Sequence, residues 1–113
     1  MLAYYLVSAT PRDAHLQDLE ARLARDEFMP LQPFGRALSQ SLRDARRRTD
    51  GVAVWEEEDY CRPPLAEERA AVLDRYFDNI DVQAVRCGAG WRQIDDLPRL
   101  FPTLTATRRD ADR

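Results

Sequence analysis

Leu2-Ala3-Tyr4-Tyr5-Leu6-Val7-Ser8-Ala9 is the stretch on which the architecture turns. It is short, aromatic and branched, and Thr10-Pro11 follows it, the composition of a β-strand closed by a turn. Its apolar residues do not alternate: Tyr5 and Val7 fall on one face, Leu2, Tyr4 and Leu6 on the other. A strand that is apolar on both parities is buried on both faces, so something must lie on each side of it.

Outward from this strand, Thr10 is placed to cap a helix with Pro11 and Asp13 in its first turn. Leu16, Leu19 and Leu23 repeat at helical spacing and set the end of that helix near Arg25. Asp26 to Gly35, with Pro30 and Pro33 among Phe28, Met29, Leu31 and Phe34, reads as a loop that buries side chains. Thr49-Asp50-Gly51 separates Arg36–Arg48 from Val52–Cys61, and Asp-Gly is a strong hairpin signal. A two-residue turn there sets Arg43 opposite Glu58 and Arg46 opposite Trp55. Pro63-Pro64 ends the strand, and Leu65, Arg69, Val72, Leu73, Tyr76, Phe77 and Ile80 outline a second helix ending near Asn79. Val82–Cys87 reads as a fourth strand, and Ile94, Leu97, Leu100 and Phe101 are apolar enough to dock on the domain.

The resulting order, β-α-β-β-α-β, is the ferredoxin-like α+β fold: a four-stranded antiparallel sheet with two helices on one face. Two helices shield one face of the first strand only. The other face is expected to be covered by a second copy in a homodimer (a dimeric α+β barrel), by the Trp91–Phe101 segment, or by a ligand between them.

Composition excludes much. The chain has 113 residues, the length of one domain, here residues 1–102, with a polar tail at 103–113 expected to be mobile. All 17 basic residues are arginine, which excludes Schiff-base lysines and the P-loop lysine. His15 is the only histidine, and Cys61 and Cys87 form no C-x-x-C pair, so neither a zinc knuckle nor a disulfide framework is expected. Gly88-Ala89-Gly90 lacks the third glycine of a dinucleotide motif. No apolar run reaches the ~18 residues that span a bilayer, and no basic segment precedes the first apolar stretch. A cytoplasmic protein without membrane association, cofactor or resident metal is the expectation.

Glu56, Glu57, Glu58 and Asp59 form the densest charge run. On a strand, alternate members share a face about 6.6–7 Å apart and could hold a divalent cation. A solvated strand edge that resists further pairing is the preferred reading. The same run would repel a phosphate backbone, so nucleic-acid binding through Tyr4, Tyr5 and Trp55 is not expected.

Arg12-Asp13-Ala14-His15-Leu16, after Tyr4-Tyr5-Leu6-Val7, resembles the R-x-x-H-L opening of the first helix in YciI-like proteins of the dimeric α+β-barrel superfamily. Leu65-Ala66-Glu67-Glu68 leading to Asp74-Arg75-Tyr76-Phe77, then a strand and Trp91, is similar to that family's second helix and ending. The likeness spans positions 2–25 and 65–91; Asp26-Glu27 stand where the family has a glycine. It implies a homodimer with ferredoxin-like protomers and acid–base activity in a cleft, with His15 as the catalytic residue. Tyr4, Tyr5, Trp55 and Tyr60 are the candidate walls for a small organic ligand. The alternative is a non-catalytic interaction protein that uses the acidic strand and the apolar C-terminal segment to contact a partner.

Overall fold

The structure, a computed structural model, describes residues 2–104. Strand β1 (Ala3–Pro11) is followed by helices α1 (Asp13–Ala24) and α2 (Gly35–Arg43), then strands β2 (Arg46–Arg47) and β3 (Ala53–Asp59). Helix α3 comprises Ala66–Glu68, a π-helical turn Arg69–Leu73 and Asp74–Tyr76; strand β4 (Phe77–Val85) and helix α4 (Ala89–Ile94) complete the order. The sheet runs β2-β3-β1-β4 with every neighbour antiparallel, the ferredoxin-like order.

The odd positions of β1 and β3 face the main core. Val7 and Ala9 stand opposite Trp55 and Ala53, and all four are buried. Leu19 and Leu23 of α1, Leu38 and Leu42 of α2, and Val72, Leu73 and Tyr76 of α3 pack on them in one cluster. The Trp55 and Phe77 rings meet at 5.2 Å between centroids, tilted by 48°, within the favourable range for aromatic pairs.

Three local expectations are corrected. Thr10 does not cap α1: β1 continues to Pro11 because Thr10 and Pro11 pair with Asp78 and Phe77 of β4. That pairing also starts β4 at Phe77, before the expected Val82, and ends α3 at Tyr76. The extra residue on β4 is taken up where Asn79 adopts a left-handed φ of 53°.

Most of residues 36–48 is helix rather than strand. Ala37, Leu38, Gln40 and Leu42 are good helix formers, the stretch has no β-branched residue, and Leu38 and Leu42 share one helical face in the core. The hairpin survives in shortened form. Arg48 N–H donates to Val52 O (2.9 Å) across a three-residue loop that ends at Gly51, whose φ of 88° suits glycine. The register is therefore one residue off the expected one, with Arg46 opposite Val54. Arg43 lies in α2 and donates to Leu23 O (2.7 Å) instead of meeting Glu58. Arg46 donates to the Asp95 and Leu97 carbonyls instead of stacking on Trp55.

An open hollow of about 370 Å³ borders Leu6 and Ser8, and part of the second face of β1, which carries Tyr4, Leu6 and Ser8, is covered by the chain itself. Helix α4 lies across it, held by Glu56: the Gly88 N–H donates to Glu56 Oε2 (2.8 Å), and those of Gly90 (2.8 Å) and Trp91 (3.3 Å) donate to Oε1. These amides stand at the start of the helix, where a carboxylate is a favourable acceptor. Gly90 permits the approach, since a Cβ there would sit 2.9 Å from Glu56 Oε1. Pro98–Leu100 then runs along β2, with Arg47 N–H to Pro98 O (2.9 Å) and Leu100 N–H to Ala45 O (2.8 Å), and inserts Leu100 and Phe101 into the core. The Thr103 hydroxyl donates to Glu20 (2.6 Å); the rest of the tail, from residue 105, lies outside the described residues.

Candidate functional site

Side chains alternate along a strand, so burying Trp55 also turns Glu57 and Asp59 toward the core and leaves Glu56 and Glu58 on the other face. The expected solvated edge is not what forms. β3 lies inside the sheet between β2 and β1, and only Glu58 of the four acids is exposed.

On the core side, Trp55 Nε1–H donates to Glu57 Oε1 (3.0 Å), while Oε2 of the fully buried Glu57 has no partner. Burial, then the neighbouring Glu68 charge, pushes the Glu57 carboxyl well above its ordinary range. Glu68 comes from α3. It is 1% exposed, its Oε2 is also without a partner, and burial raises it to about 7. Asp59 Oδ2 accepts the Leu65 N–H (2.6 Å) where the chain turns through a left-handed φ of 62° into α3. The Cys61 thiol donates toward Glu67 Oε1 (3.4 Å) and Glu68 Oε1 (3.7 Å), and burial pushes it up to about 11. One ligand-capable atom from each of Asp59, Cys61 and Glu68 falls within 4.8 Å of the others. These residues, with Glu67 and Phe34, border a cavity of about 30 Å³.

On the other side, a cleft of about 190 Å³ opens between α2, β3 and α4. Tyr4, Gln40, Ser41, Glu56, Glu58 and Trp91 line it together with Ala37. A hydrogen bond with the Cys87 thiol, then burial and the charges of Cys87, Glu58 and Glu56, holds the Tyr4 phenol above its ordinary value.

No basic side chain lines either space. Among the described residues, the ion pairs join Arg12 to Asp78, Arg22 and Arg25 to Glu27, Arg43 to Asp26, Arg48 to Asp50, Arg69 to Asp74 and Arg99 to Asp44. None of them reaches Glu56, Glu57, Glu58, Asp59, Glu67 or Glu68. Among the described residues, this densest group of carboxylates therefore makes no ion pair with an arginine.

Of the residues singled out in the sequence, Tyr4 lines the cleft, and Tyr5 and Tyr60 line a neighbouring hollow with Asp59 and Cys61. Trp55 is in the core at 0% exposure and lines no cleft. His15 is exposed on the first turn of α1, beyond the opposite end of β1, and borders none of these spaces. Glu68 went unread, although Leu65, Glu68 and Val72 share a helical spacing that places it on the buried stripe.

No protein family, curated protein or solved structure matches this chain.

Proposed function

We propose that the chain binds a small organic cation, an amine or guanidinium compound, in the cleft between α2, β3 and α4. The observation that carries this reading is the lining: Glu56 and Glu58, the Tyr4 phenol and the Trp91 indole surround the space, with no arginine among them. A carboxylate accepts hydrogen bonds from an ammonium, and aromatic faces attract a cation. At about 190 Å³ the cleft falls below the roughly 300–1,000 Å³ of drug-sized pockets, which favours a ligand of few heavy atoms. Glu56 is committed to the amides of α4, so Glu58 is the free charge that a ligand would meet.

This reading keeps the small-ligand function expected from the sequence and moves it away from His15. Among the described residues no ion pair joins His15 to a carboxylate, and no acid–base step is assigned to it. The homodimer forms no part of the proposal, which uses residues of one chain. The apolar C-terminal segment is used within the chain in the same way, which weakens the case for a partner-docking role.

Calorimetric titration with putrescine, and with acetate as an anionic control, tests the reading. The diamine is expected to bind with an affinity that falls with salt, and Glu58→Gln weakens it about tenfold through loss of a charged hydrogen bond. Absence of diamine binding tighter than ~1 mM, or equal binding by Glu58→Gln, contradicts it.

A further inference from the structure

We propose that Asp59, Cys61 and Glu68 form a binding site for a divalent transition metal of the zinc class. The site uses residues other than those of the organic-cation cleft and stands independently of that reading.

Three observations converge. One ligand-capable atom from each side chain lies within 4.8 Å of the other two. Ligands around a tetrahedral zinc at ordinary bond lengths are about 3.4–3.8 Å apart, so side-chain adjustments of about 1 Å bring these atoms to an ion. The cavity they border measures about 30 Å³, enough to admit an ion or a water molecule.

The third observation is the Glu68 Oε2 atom. The residue is 99% buried by its 1% exposure, it borders this cavity, and among the described residues no donor reaches the oxygen. Buried carboxylate oxygens are almost always satisfied, and one left open beside a thiol and a second carboxylate is a ligand position. Asp59 is already oriented by the Leu65 N–H on its Oδ2, the kind of support that metal-ligating carboxylates receive. Glu67 Oε1, 3.4 Å from the Cys61 sulfur, borders the same cavity and is available as a fourth ligand.

Donor chemistry selects the metal. Calcium and magnesium take oxygen ligands, whereas a thiolate beside carboxylates suits zinc, or cobalt as its spectroscopic substitute. On binding, the Cys61 S–H proton leaves to solvent and the sulfur lone pair forms the metal bond; no oxidation is involved.

The test is titration of the reduced, chelator-treated full chain with Co²⁺ and then Zn²⁺. One equivalent of cobalt is expected to bind with a sulfur-to-cobalt charge-transfer band in the near ultraviolet, and zinc abolishes the band by displacement. Cys61→Ser removes the band, and Glu68→Gln weakens zinc binding at least ~10-fold, with far-ultraviolet circular dichroism unchanged in both. Cys87→Ser, altering the exposed thiol, keeps the band. The proposal is overturned if cobalt gives no stoichiometric binding at micromolar concentration. It is equally overturned if the band survives in Cys61→Ser, or if Glu68→Gln binds zinc as tightly as the parent chain.

Discussion

Glu57→Gln stabilises the metal-free protein at pH 8 and changes its stability little below pH 4.5. Glu57 is fully buried, one oxygen takes the Trp55 indole N–H at 3.0 Å, and the other oxygen has no partner. A glutamine keeps an acceptor for the indole and removes the ionisation. The sign follows from the raised pKa. Below the unfolded value near 4.5 both states carry the proton and there is no penalty. Above it the unfolded chain loses the proton while the folded chain holds it, so folding stability falls with rising pH until the folded group ionises.

For Glu68, raised to about 7, the window runs from 4.5 to about 7. The shift corresponds to roughly 3 kcal/mol at its full extent. Glu68→Gln is expected to follow the same course within that window. Asp18, lowered chiefly by the Tyr76 hydroxyl, and Glu27, lowered chiefly by Arg25, work in the opposite direction: their stabilisation is lost as pH falls through their folded values. That contribution is common to parent and variant and cancels in the difference. Urea unfolding of both proteins from pH 4 to 8 reads it directly; a difference independent of pH contradicts the assignment.

The second large effect is at Glu56. Glu56→Ala removes the acceptor of three amide N–H groups, those of Gly88, Gly90 and Trp91, and leaves the start of α4 without partners on the sheet. A hydrogen bond to a charged group contributes about 1.5–3 kcal/mol, and the three share one carboxylate, so a loss of about 2–4 kcal/mol is expected. Hydrogen exchange should rise first in residues 86–97, since Glu56 anchors the start of α4. Glu56→Gln retains one acceptor oxygen and loses less. Uniform exchange across the chain, with no preference for α4, would contradict the anchoring role.

The topology was readable because each signal in it is local. The two-faced β1, the leucine repeat of α1, the Asp-Gly turn and the stripe from Leu65 to Tyr76 each specify their own element and together specify the order. Helix α2 was hidden because the turn signal at Asp50-Gly51 was extended backwards through residues whose own preference is helical. The cover over Leu6 was legible only as a need. That α4 meets it in part depends on Glu56 reaching Gly90, a contact between residues far apart in the chain.

The candidate site was half visible. Counting by twos from Trp55 places Glu57 and Asp59 on its face, and that parity was open to reading in the sequence. What could not be read was the arrival of Glu68 and Cys61 beside them. Helical spacing marks Glu68 as buried and the structure leaves Arg69 exposed, but the meeting of Glu68 with Asp59 and Cys61 depends on how α3 docks against β3. That no ion pair among the described residues reaches this group is likewise a property of packing, since 17 arginines in a chain of 113 say nothing of where they point.

A carbon-detected NMR titration of the side-chain carboxyl groups, in the metal-free protein, bears on this account most directly. Glu68 is expected to titrate near about 7, with Glu57 well above the ordinary carboxylate range. Midpoints near ~4.3 for both, the value of a glutamate in water, would mean that their charges are already balanced, and the unanswered acidic strand at the centre of this account would not exist.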